Sequence, residues 1–255
     1  MPEKEQVKND MDFTPITVPT YNFIAIYGSI RGRMPDFKKA IEQGYRIGNY
    51  RDLALNRMEK HNPDENDRKN LNDNYFTLVG NPTLGDPMES GEQFIINDLE
   101  QKVFEPIKLQ LLNMNSSTKL NGSWALPLAP SKEQAKDIYE QIKTNGMPYI
   151  TILSPQQVSE LRNDAYSIPG VRENMLEGFF QGNISEMREY IHHVQTLKEI
   201  GFEKILGYYP GKFTDTRLVW AGSVGDSADA YCGGSLNSIG RLFGVGAGAP
   251  TTKPN

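Results

Sequence analysis

From residue 221 to residue 250 the chain contains no Lys, Glu, Gln, Met or Trp. Those five types supply 56 of the 255 residues overall. About thirty residues drawn at that frequency would miss all five with a chance of order one in a thousand. The stretch is instead rich in Gly, Ser and Ala, and no helix-forming run is present in it. It must therefore fold as short strands and tight turns, where glycine permits close backbone approach. Crowding against a sheet explains why Lys and Glu are missing. It explains less well why Tyr231, Cys232, Leu236 and Arg241 are admitted.

The rest of the composition narrows the class. A formal charge of -5 and a pI near 5.4 disfavour a nucleic-acid partner, because phosphate binding needs an excess of Lys and Arg. Mean hydropathy is -0.55, and no apolar run approaches the roughly 20 residues that a bilayer span requires, so no membrane insertion is expected. A single cysteine, Cys232, excludes an internal disulfide and a zinc site built on cysteine pairs. The opening MPEKEQVKND has no apolar core of a secretory signal.

Period and punctuation place the elements. Residues 21–30 alternate as a strand. Residues 35–43 read as a helix with Phe37, Ala40 and Ile41 on one side, and residues 50–60 as a second helix. The polar run 61–74 reads as a surface loop, and 75–79 as a short strand. Glycine and proline punctuate 80–91, and 95–113 has helical period with a kink at Pro106. Ser131 with Gln134, Ser154 with Pro155 and Gln157, and Asn183 with Glu186 each start a helix. Residues 206–209, 217–220 and 242–245 are strand candidates. Strands at both ends with helices between them predict an α+β fold whose terminal strands meet in one sheet.

Several motifs fail on their chemistry. Ala221-Gly222-Ser223-Val224-Gly225 has the form of a nucleophile elbow, yet no histidine follows Ser223. His192 and His193 are adjacent, so they do not share a helix face as a metal pair would. Gly244-Val245-Gly246-Ala247-Gly248 opens no helix, as a dinucleotide loop must. Asp64, Glu65 and Asp67 lack the glycine and spacing of a calcium loop. No catalytic residue, metal site or cofactor is expected.

The missing residue set has a coding explanation. Randomising the adenines of AAC or AAT codons reaches fifteen residue types and leaves out Lys, Glu, Gln, Met and Trp. That is the logic of diversity-generating retroelements. The run VWAGSVGDSADAYCGGSLNSIGRLFGVGA resembles the variable region of retroelement-diversified proteins, whose fold is a variant of the C-type lectin fold. Trp220, Gly222-Ser223, Ser227-Ala228, Ile239-Gly240 and Phe243-Gly244-Val245 carry the match. Upstream, Gly44-Tyr45-Arg46-Ile47 followed by Asp52-Leu53 resembles the G-[WY]-R-L-P-T-x-x-E-[WL] helix start common in this fold, with Gly48-Asn49 in place of Pro-Thr.

The resemblance implies a C-type lectin-like fold with paired N- and C-terminal strands and a large helical and loop insertion. The expected layout is a tail over 1–18, one domain over 19–248 with the insertion at about 61–200, and a tail over 249–255. It implies a binding protein, not an enzyme, displayed on a cell or a virus particle, with an unknown protein or glycan as ligand. The expected variable, ligand-facing positions are Ala221, Val224, Gly225, Asp226, Asp229, Tyr231, Cys232, Leu236, Asn237 and Arg241. The expected scaffold of the site is Trp220, Ser223, Ser227, Ala228, Gly240 and Phe243, with Ala230 and Ser235 as further small punctuating residues. The competing expectation is a static C-type lectin-like adhesin or viral tail or surface protein.

Overall fold

The computed structural model describes residues 23–85, 91–120, 136–137, 140–141, 149–166, 170–199, 201–210, 216–232, 236 and 238–246. The helix expected from Ser131 to Thr144 lies mostly outside them, as do Ser235 and Asn237.

The terminal strands meet as expected. Strand β1 (Phe23–Ser29) pairs antiparallel along its whole length with β9 (Ile239–Val245), and the short β2 (Arg46–Ile47) joins the far end of β9. Strand β3 (Phe76–Gly85) follows β9, with Thr77 opposite Leu242 in parallel. Then come β7 (Thr216–Ala221), β8 (Ala230–Cys232) and β6 (Tyr208–Pro210). Strands β4 (Gln93–Ile96) and β5 (Ile150–Leu153) extend from the second half of β3. The stretch 61–200 thus carries three strands of this sheet besides its helices.

Alternation along the central strands fills two cores. Phe76, Leu78, Val219, Ala221, Phe243 and Val245 pack on one face, under α2 (Tyr50–Arg57), α5 (Pro155–Asn163), α6 (Val171–Phe179) and α7 (Ile184–Lys198). Leu218, Leu242 and Ile26 pack on the other, under α1 (Ile30–Glu42) and α4 (Glu105–Leu112). Period two on the strands puts neighbouring residues on opposite faces.

Four local expectations differ from the structure. Helix α1 begins at Ile30, not Pro35, because Ser29 caps it by accepting from the Gly32 amide. Ile30, Met34, Phe37 and Ala40 make its buried stripe, and exposed Pro35 forfeits only one backbone bond. The run 61–74 contains helix α3 (Glu65–Asp73), capped by Asp64 and anchored by fully buried Leu71. Strand β3 runs on through Gly80 and Pro82 by way of a bulge, since Leu78 opposes Val219 and Pro82 opposes Leu218. In 95–113, strand β4 and a 3₁₀ turn precede α4, and Pro106 sits in the first turn of α4, where its missing N–H is harmless.

The bulge fixes the start of α2. The Gly80 amide donates to the Gly48 carbonyl at 3.2 Å, and the Gly48 amide donates to the Phe243 carbonyl at 3.2 Å. The Asn81 side chain accepts from the Tyr50 amide at 2.6 Å and donates to the Ile96 carbonyl at 3.1 Å. Asn49 and Asp52 form a reciprocal capping box. Arg46 grips Asp52 with two bonds of 2.5 and 2.6 Å. The Asn49–Asp52 pair therefore does the capping work of the Thr and Glu in the resembling motif.

Candidate ligand-binding surface

The chain leaves β7 through a tightly tied turn. Ser223 accepts from the Asp226 amide at the head of a 3₁₀ turn (Val224–Asp226) and donates to the Asp226 carboxylate. Ser227 and Ala228 then take left-handed backbone angles, φ 71° and 54°. Small side chains at both positions limit the steric cost of that conformation. The Gly222 amide donates to the Asp229 carbonyl at 2.7 Å, which closes the loop before β8.

Buried groups outside the loop hold it in place. Arg57 is 0% exposed, and its guanidinium donates to the carbonyls of Leu71, Asn74 and Gly222 and to the Tyr190 hydroxyl. Tyr50 donates its hydroxyl to the Ala228 carbonyl at 2.9 Å. The Leu206 amide donates to the Ser227 carbonyl, and the Ala230 amide to the Gly207 carbonyl. Burial raises the Tyr50 hydroxyl well above its ordinary value, so it stays a donor.

Beside the loop lies an aromatic surface. Tyr231 on β8 is paired with Tyr209 on β6, and their rings stack at 4.8 Å with planes 10° apart. Tyr166 meets Tyr209 edge to face at 6.2 Å. Tyr166 donates its hydroxyl to the Asp229 carboxylate, and Tyr209 donates to the Tyr166 hydroxyl at 3.2 Å. Asp229 also accepts from the Gly207 amide at 2.7 Å. On the other side, Tyr75 donates its hydroxyl to Asp226. Tyr209 is 37% exposed and Tyr75 40%.

Two carboxylates on this surface are tuned in opposite directions. Burial pushes the Asp229 carboxyl up, and the bonds from Tyr166 and Gly207 offset this only in part. The bonds from Tyr75 and Ser223 hold the Asp226 carboxyl below its usual value. Tyr166, Tyr209 and Tyr231 are all raised, by burial first, with Asp229 adding to the shift in each.

The structure divides the expected variable positions. Gly225 and Asp226 are exposed, Tyr231 and Arg241 are half-buried, and Asn237 lies outside the described residues. Ala221, Val224, Asp229, Cys232 and Leu236 are buried, so their expected ligand-facing role is corrected. Ala221, Val224 and Cys232 point into the core beneath α2 and α7, and Leu236 into the core beneath α1. Asp229 is 2% exposed and acts as an internal brace. Arg241 does not join the surface. It lies over the Tyr27 ring at 5.0 Å, on β9, three strands from β8 and roughly 14 Å away at ordinary strand spacing.

The expected scaffold residues sit where packing is tight. Ser223, Ala228 and Phe243 are buried, Ser227 and Trp220 half-buried, and Ala230 buried. A Cβ on Gly240 would lie 2.8 Å from the Ile30 side chain. Sequence reasoning missed Tyr75, Tyr166 and Tyr209. Alternation within 206–209 could have found Tyr209, because Tyr208 is buried and the next residue must face the other way. Tyr166 carries no such signal, since it lies in an irregular segment between α5 and α6. Among the described residues, no group of three or more His, Cys, Asp or Glu could hold a metal ion. No helix among them is long and apolar enough to cross a membrane.

With its paired terminal strands and tied loop region, the chain has the C-type lectin fold of a solved structure. That structure, described as "Accommodation of massive sequence variation in Nanoarchaeota by the C-type lectin fold", is similar over 88% of this chain and 97% of its own, with a TM-score of 0.55 and 12% identity. No family model matches the chain, and no curated protein matches it.

Proposed function

We propose that the protein is a non-enzymatic ligand-binding protein whose segment 221–241 is diversified at adenines, with a ligand contacted by the tyrosine surface beside the loop. The carrying observation is the joint absence of Lys, Glu, Gln, Met and Trp from 221 to 250, the set that randomised AAC and AAT codons cannot encode. The palette that remains suits the task, because Tyr gives rigid contact area and Ser, Gly and Asp give adaptable polar contacts. The solved neighbour, described in terms of massive sequence variation on this fold, supports the same reading. Display on a cell or virus particle belongs to the proposal.

The test is the neighbouring DNA. A near-copy of the 3′ coding segment, differing at adenines, is expected close to a reverse transcriptase gene. Sibling sequences should then differ at Gly225, Asp226 and Tyr231 and keep apolar or braced residues at Ala221, Val224, Asp229, Cys232 and Leu236. No repeat and uniform siblings would leave a static adhesin or viral surface protein.

A further inference from the structure

Three tyrosines on the candidate surface spend their hydroxyl hydrogens inward. Tyr166 donates to Asp229, which obliges Tyr209 to be the donor in its bond to Tyr166. Tyr75 donates to Asp226. Ser223, which also donates to Asp226, adds no outward donor. These groups therefore show a ligand lone pairs and ring faces, with no hydrogens to give. The carboxylates that collect the hydrogens add negative charge, and a chain of phenols ending on a carboxylate polarises along its length. Two cations lie close enough to offset part of that charge, Arg172 acting on Asp229 and Lys198 on Asp226. Arg172 lies buried over the Phe202 ring at 4.0 Å, and Lys198 donates to the Gly225 carbonyl.

We infer that this surface takes a donor-rich cation, a guanidinium or alkylammonium side chain from an Arg- or Lys-bearing segment of a partner protein. A cation over tyrosine faces gains from the ring quadrupole, and its N–H groups meet the oxygens of Tyr75, Tyr166 and Tyr209, whose hydrogens are already donated. A sugar brings acceptors as well as donors, and its acceptors would find no partner on these three tyrosines. Tyr75, Tyr166 and Tyr209 lie outside 221–241, while Tyr231 and Asp226 lie within it. The fixed tyrosines supply the cation chemistry, and the segment tunes it. The inference rests on the reading of this surface as the binding surface.

The experiment titrates argininamide, neutral citrullinamide and a methyl glycoside into the full chain, following tyrosine ring signals by NMR. Argininamide should bind saturably and at least roughly fivefold more tightly than citrullinamide. About 0.5 M salt should weaken it, as screening demands. Tyr209→Ser and Tyr231→Ser should each lose roughly fivefold, while Tyr27→Ser, at the far edge of the sheet, should bind normally. Equal binding of citrullinamide, or preference for the glycoside at the same tyrosines, overturns the cationic assignment and keeps a binding surface. Absence of any saturable tyrosine shift overturns both. The comparison of argininamide with citrullinamide needs no variant, so it stands even if a serine variant misfolds.

Discussion

At the scale of single residues, burial and hydrogen bonding decide what each side chain contributes. Asp229 is a carboxylate raised by burial, so the native state takes up a proton more readily than the unfolded chain. Its ionisation then opposes folding: this contribution is most favourable below the unfolded value and is lost as pH rises through the folded value. Asp229→Asn keeps an acceptor for Tyr166 and removes the charge. Its stability relative to the unmodified protein should rise with pH in urea unfolding run from acid to neutral pH. Arg57 is the opposite case, a buried cation satisfied by three carbonyls and a hydroxyl. Arg57→Ala should lose roughly 3 kcal/mol or more, because each stranded acceptor costs about 1–3 kcal/mol. Arg57→Lys should not rescue it, since an ammonium cannot span the fork of partners. Amide exchange at Gly222 and Ser227 should quicken in both variants.

At the scale of elements, the start of α2 and the β3 bulge form one unit. Asn49→Ala should cost about 1 kcal/mol in denaturant unfolding, the usual loss for a helix cap, while Asn49→Thr should cost less because threonine can cap the same amide. Gly80→Ala places a Cβ 2.6 Å from the Gly48 carbonyl oxygen, a backbone atom with little room to yield. Its cost should be roughly 1–3 kcal/mol, with a lower thermal midpoint. The same elements show what was legible locally. Ser154–Gln157 and Asn183–Glu186 started helices where the caps predict them, because a cap is a local bond between residues three apart. Helix α3 was not legible despite its local Asp64 cap, because with Leu71 as its one apolar residue it shows no amphipathic period.

At the scale of the whole molecule, the sheet order brings together residues far apart in the chain. Tyr75, Tyr209 and Tyr231 become neighbours because β3, β7, β8 and β6 follow one another across the sheet, Tyr166 joins them because the Tyr208 amide donates to the Ala165 carbonyl, and Arg241 is left at the other side. If the segment is diversified, a library varied at Gly225, Asp226 and Tyr231 should keep the parent melting temperature within a few degrees, since exposed substitutions shift stability by about 0.5 kcal/mol or less. A library varied at Val224, Cys232 and Leu236 should yield mostly unfolded members, because core truncations cost about 2–5 kcal/mol. The sequence by itself determined the alternation of the terminal strands, the capped helix starts and the missing residue set of 221–250, because each is a matter of local period, local bonds or composition. Only the tertiary structure decided which members of that segment face solvent. Exposure depends on what lies across the strand and under the helix, and the sequence of a strand does not contain its neighbours.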